Sequence, residues 1–223
     1  MDVKTSFVVL RRTDYGEADR VLEILTPDGK QSVIAKGVRR EKSRMAGGVE
    51  LFSVSEGVIH RRRESNGMGV LASVRLSKFY GEMIVRDFER LEFGYEVLRD
   101  VSRRAEGVES GEYYEIVTQV LEGLTKYPLD VVRAWYRLNI LRVAGEGLNL
   151  WRDANGDKLS PELKYEWDVG ALALAPHGQG GIGADEIKMM RLMMSSKLSV
   201  CARVVGIEEI WPVVERLTRV NAG

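Results

Sequence analysis

Residues 30–44 read KQSVIAKGVRREKSR and hold six cations (Lys30, Lys36, Arg39, Arg40, Lys42 and Arg44) against the single acid Glu41. The whole chain of 223 residues has a formal net charge of zero, so the concentration is local. Cations gathered on a loop without apolar periodicity can neutralise a polyanion backbone and need read no base. The bland alternative is a solvated loop. A second cluster, Arg61, Arg62 and Arg63, follows the apolar run 51–60, and Arg11 lies in the run 6–12. Residues 1–80 carry an excess of five cations, so the remainder carries an equal excess of acids. That asymmetry points to nucleic acid or a membrane surface, and the lack of a basic amphipathic helix in the first half favours nucleic acid.

Other chemistry is thinner. Gly178, Gly180 and Gly183 spell G-x-G-x-x-G before a helix, but Pro176 and His177 intervene and no βαβ unit surrounds them, so a flexible loop is expected instead of a dinucleotide site. His60 and His177 are far apart and neither has a metal-ligand spacing, so no metal or other cofactor is expected. Cys201 is the only cysteine, which excludes an intrachain disulfide and a cysteine-based zinc ribbon and suggests a small buried apolar residue. No nucleophile motif suggests an enzyme. The amino terminus, MDVKTSFVVLRR, reads as neither a signal peptide nor a membrane span, and a reducing cytoplasm is the expected compartment.

The elements that must position the cations follow from periodicity. Runs at 6–12, 20–26, 30–36, 51–60 and 69–74 are short, rich in Val, Ile and Leu, and separated by turn signals at 14–16, 27–29 and 65–67. Five strands in about seventy residues suggest a small closed barrel, of the oligonucleotide/oligosaccharide-binding (OB) type or SH3-like. From residue 77 the period changes: Phe79, Met83, Phe88, Leu91, Tyr95 and Leu98 predict one long amphipathic helix. Further helices are expected at 111–126, at 129–144 ended by Gly145, at 184–197 and at 211–220. Their aromatic residues, Trp135 among them, are expected in the core, and the run Met189, Met190, Met193, Met194 reads as a pliable packing face. A small hairpin is expected between the third helix and the fourth. The class is α+β, divided into a barrel at 1–76, a central helical domain at 77–147, and a hairpin with helices at 148–223.

The segment 12–53 resembles the amino-terminal signature of the bacterial RecO family, whose pattern is matched here by Tyr15, Glu17, Asp19, Leu22, Thr26, Gly29, Gly37, Arg39, Ser43 and Arg44, with Gly16 and Lys36 in keeping. The likeness continues more loosely through residues 77–98 and then reduces to the order of elements, with 141–145 and 165–168 as late landmarks.

The resemblance implies an OB-type barrel that binds single- and double-stranded DNA, a helical domain, and a non-enzymatic task. That task is annealing complementary strands and assisting the loading of the recombinase RecA, together with RecR, on DNA coated by single-strand binding protein. It carries backbone contact onto Lys36, Arg39, Arg40, Lys42 and Arg44, with Arg11, Arg61 and Arg63 as further cations. It implies a cation-rimmed apolar pocket for the carboxy-terminal tail of single-strand binding protein, for which Arg133, Arg137 and Arg142 are candidates. Many relatives carry a four-cysteine zinc ribbon; with one cysteine, packing must hold the hairpin at 165–172 instead. Phe7, Tyr15, Phe52 and Phe79 are too sparse for a stacking track, so affinity should come from phosphate neutralisation. An RNA-binding barrel and a partner-docking module are the rival readings.

Overall fold

The computed structural model describes residues 1–61 and 68–219. The expected turn at 65–67 lies outside them. Five strands, β1 (Asp2–Tyr15), β2 (Asp19–Thr26), β3 (Gly29–Ala35), β4 (Ser53–His60) and β5 (Gly69–Phe79), close into a barrel in the order β1, β2, β3, β5, β4. Every pairing is antiparallel except that of β3 with β5. Inward positions alternate along the strands, and Phe7, Val9, Leu22, Ile24, Val33 and Ile59 fill the interior. β1 is buried on both faces from Phe7 to Leu10. Phe7 and Val9 enter the barrel core, while the outward face lies under helices described below. At the β2–β3 turn, Gly29 adopts φ +117°, and a Cβ there would stand 2.5 Å from the Val108 carbonyl oxygen, so this position requires glycine.

The single long helix expected from residue 77 is replaced by three elements. Residues up to Phe79 finish β5, a short turn α1 (Gly81–Ile84) follows, and α2 (Phe88–Arg104) begins afresh. The break is made by Asp87, which sits in extended backbone and accepts hydrogen bonds from the Glu89 and Arg90 amides at 3.0 and 3.2 Å. Phe93, Val97, Leu98 and Val101 form the buried stripe of α2, whereas Phe79, Met83 and Phe88 are exposed. α3 (Glu112–Gly123) completes a first compact unit, Met1–Thr125, in which α2 and α3 pack on β1.

The second unit, Lys126–Gly223, contains α4 (Leu129–Val143), the hairpin β6 (Tyr165–Asp168) and β7 (Ala173–Pro176), α5 (Ala184–Ser195), the short α6 (Leu198–Cys201) and α7 (Trp211–Arg219). Chain contacts thus group α2 and α3 with the barrel and α4 with the later helices, a two-part division where sequence suggested three. α4 starts after Pro128 and ends at Gly145, φ +77°, where the Glu146 amide closes back on the Leu141 carbonyl at 2.8 Å. Trp135, Tyr136, Met190 and Met193 are buried in this unit, and Asn139 donates to the Trp135 and Met193 carbonyls at 2.9 and 3.0 Å. No helix among the described residues is long and apolar enough to cross a membrane.

Candidate nucleic-acid interface

The connection between β3 and β4 presents the cations because its apolar residues are anchored beneath them. Val38 is 2% exposed and belongs to the barrel core, as does Val49 at the far end of the connection. Gly37 turns the chain at φ +64° and donates its amide to Asp19 Oδ1 at 2.6 Å, and the Arg39 amide donates to the Ala18 carbonyl at 2.9 Å. The Ser43 amide closes a local turn onto the Arg40 carbonyl at 2.9 Å. Gly48 lets the returning chain lie against Val74, where a Cβ would meet Cγ2 at 2.6 Å. Held by those contacts, Lys36, Arg39, Arg40, Lys42 and Arg44 all face solvent at one end of the barrel.

Their charges are spent unequally. Lys36, Arg40, Lys42 and Arg44 have no side-chain hydrogen-bond or ion-pair partner among the described residues. Arg39 lies 3.5 Å from Asp14 and donates to the Gly16 carbonyl at 3.4 Å. Asp14 also accepts from Arg20 at 3.0 Å, Arg20 reaches Glu50 at 3.5 Å, and Glu50 pairs with Arg12. The Arg20 hydrogen bond, helped by the fields of Arg39 and Arg12, holds the Asp14 carboxyl below its ordinary range. An alternating ladder of charge therefore runs from the loop along β1 and β2.

Lys30, the first of the six clustered cations, is not part of the exposed set. Its ammonium donates to the Ser102 carbonyl at 2.8 Å and to Glu106 at 2.5 Å, with Glu23 at 3.4 Å, so it ties β3 to α2. Burial raises the Glu23 carboxyl, but the Ser102 hydroxyl donating at 2.6 Å, with Lys30 and Arg11 nearby, brings it below its ordinary value. Arg11 stands 3.7 Å from Glu23, on the face toward α2, where Ser102 donates to the same carboxylate. Arg61 lies at the opposite end of the barrel, where it donates to Gln31 and its backbone pairs with Met1. The eight predicted cations are therefore not one patch: five share the loop, Arg11 and Arg61 stand apart, and Arg63 is outside the described residues.

Arg133, Arg137 and Arg142 do not converge on one rim. Arg133 and Arg137 are one turn apart on α4, but Arg142, nine residues beyond Arg133, is rotated about 180° from it at 100° per residue. Arg133 pairs with Asp130 at 3.4 Å, and Arg142 donates to Asn139 Oδ1 at 3.4 Å. The glycine-rich segment 178–183 follows an antiparallel hairpin, and Gly180 serves close approach to the Tyr165 backbone. The hairpin is pinned by the buried Tyr165, whose hydroxyl accepts from the Ser160 amide at 2.7 Å. Burial pushes the Cys201 thiol up to about 11. His60 and His177 sit at the surface beside Asp2 and Glu166 at 2.6 and 3.7 Å. Among the described residues no three His, Cys, Asp or Glu side chains gather to hold a metal ion.

A closed five-stranded barrel with a cationic connection at one end, followed by helices, defines an α+β protein of the small-barrel class. Residues 1–80 match the family model described as Recombination protein O N terminal. The DNA repair protein RecO of Roseiflexus sp. strain RS-1 is 34% identical over 144 residues, 64% of this chain and 50% of that protein. The DNA repair protein RecO of Anaeromyxobacter sp. strain K is 31% identical over 189 residues, 82% of this chain and 66% of its own length. The DNA repair protein RecO of Dehalococcoides mccartyi strain CBDB1 is 24% identical over 99% of this chain and 89% of the relative. The chain belongs to the RecO family of DNA repair and recombination proteins. It spans between half and two thirds of the length of the first two relatives.

Proposed function

We propose that this chain is a non-enzymatic recombination mediator that grips single- and double-stranded DNA through the β3–β4 loop and anneals complementary strands. The observation that carries the reading is the exposure of five loop cations, four of them without partners, over an anchored turn. The strand order, with β3 parallel to β5 and the rest antiparallel, supports an OB-type barrel, a fold used for oligonucleotides. Phosphate neutralisation would make binding indifferent to sequence and steeply dependent on salt. Assistance to RecA loading, with RecR and the tail of single-strand binding protein as partners, and a place on the cytoplasmic nucleoid, are the remainder of this reading and rest on the family likeness. The test is strand annealing and fluorescence anisotropy with labelled single-stranded DNA, comparing the chain with an Arg39→Glu/Arg40→Glu/Lys42→Glu variant of unchanged circular dichroism. Loss of both activities is expected. Unaltered annealing in the folded variant defeats the assignment, and preference for RNA in matched competition replaces DNA as the ligand.

A further inference from the structure

A cleft of about 690 Å³ lies between β1 and α2, within the first unit. Its apolar lining is Leu10, Leu51 and Tyr95, and its polar rim is Arg11, Arg12, Arg99 and Arg103. Three features of the chain build it. The pairing of β1 with β2 shifts register between Val9 and Arg11, and such a bulge re-aims the side chains that follow it. Tyr95, Arg99 and Arg103 recur at every fourth residue, so they stack along one face of α2. Phe52, held at φ +60°, packs its ring edge-on against Tyr95 with centroids 5.1 Å apart, leaving Tyr95 41% exposed.

The charge of the rim is not cancelled by its acids. Glu50 beside Arg12 is shared with Arg20, Glu23 beside Arg11 with Lys30, and Asp100 beside Arg103 with Arg104. Arg99 has no ion-pair or hydrogen-bond partner among the described residues, and the Arg103 side chain is 81% exposed. The cleft is also continuous with the loop: Leu51 ends the same β3–β4 connection that carries the cations, and the Arg39, Asp14, Arg20, Glu50, Arg12 ladder leads to its rim.

We propose that this cleft is a second subsite for the strand held by the loop, with phosphates on Arg99 and Arg103 and a base against Tyr95. The proposal rests on the DNA-binding reading and deepens it. Guanidinium groups around an exposed aromatic ring suit a nucleotide, since the ring accepts any base and the cations any phosphate. Short strands would engage the loop alone, and longer ones both regions.

The test is anisotropy of the full chain against oligothymidylates of about 5 to 25 nucleotides at several salt concentrations, with Arg99→Ala/Arg103→Ala beside the wild type. The salt slope of the wild type should steepen with length, and the variant should lose about 1.4 of that slope on long strands while matching the wild type on short ones. Photocrosslinking of 5-iodouracil strands should map to Tyr95, a readout that a purely structural role would not move. A variant equal to the wild type at every length, with no crosslink at Tyr95, overturns the cleft while leaving the loop assignment standing. An acidic peptide that binds the wild type but not the variant, without effect on DNA, gives the cleft to a protein partner and overturns it too. Failure of the wild type to bind any strand overturns both readings.

Discussion

The salt slope on short single strands should follow the number of loop cations free to reach phosphate. With five contacts at about 0.7 each the log–log slope is about −3.5, and a fourfold rise in salt weakens binding roughly 130-fold. Arg39 is the exception among the five, because Asp14 stands 3.5 Å away and is also bonded to Arg20. Withholding Arg39 leaves four contacts, a slope of about −2.8 and a roughly 50-fold loss over the same range. Asp14→Asn removes the competing charge while Arg20 keeps Glu50 at 3.5 Å. The variant should therefore bind more tightly at low salt and steepen the slope by about 0.7. Arg39→Ala/Arg40→Ala/Lys42→Ala should flatten it to about −1.4, or roughly sevenfold over the fourfold change in salt. Anisotropy with a short labelled oligonucleotide measures all three proteins. Equal slopes for the wild type and the triple alanine variant would refute phosphate counting by the loop.

Asp87→Ala should destabilise the first unit by about 1 kcal/mol, seen as a lower denaturation midpoint, because the Glu89 and Arg90 amides lose their acceptor. Gly29→Ala should cost about 2 kcal/mol or more, from positive φ and from collision with the Val108 carbonyl; a neutral result would mean that the turn relaxes freely. Asn139→Leu leaves the Met193 carbonyl without its donor in the buried core of the second unit, and a loss of about 2 kcal/mol in urea unfolding is expected. Glu23 has a folded-state pKa below its ordinary value, so its contribution is full at neutral pH and fades as pH falls through the ordinary carboxylate range toward the folded value. Glu23→Gln should accordingly be less stable at pH 7 and show a shallower acid limb; a limb identical to the wild type excludes Glu23 as a source of acid sensitivity.

The barrel was legible because Val, Ile and Leu are concentrated in five runs separated by turn chemistry, as at 27–29. The loop was legible because its cations are neighbours in the chain. The start of α2 was not, since Phe79, Met83 and Phe88 mimic helical spacing while belonging to a strand end, a short turn and the first residue of a new helix. Only Asp87, an N-cap residue just before Phe88, signalled the break. Lys30 was misplaced for a different reason: its partners Ser102 and Glu106 lie more than seventy residues away, and no local pattern reports them. The cleft joins residues near 11, 51 and 99, so its only trace in the sequence is the four-residue recurrence of Tyr95, Arg99 and Arg103.

The acids threaded through this surface bear on how a strand would be held. A face made only of arginines would repel itself when DNA is absent and hold phosphate tightly when it is present. Asp14 and Glu50 alternate with Arg39, Arg20 and Arg12, which relieves that repulsion and keeps each guanidinium oriented along β1 and β2. Phosphate must then compete with a carboxylate already in place, so each contact on the ladder returns less than a free cation would. Under the proposed annealing role such moderation would be useful, because a strand would have to be gathered, matched to its complement and released as duplex. The partner-free Lys36, Arg40, Lys42 and Arg44 would set capture, and the ladder would set how readily the strand shifts. Neutralising Asp14 and neutralising Arg40 should therefore push annealing in opposite senses at fixed salt, the first toward tighter and slower exchange and the second toward weaker capture.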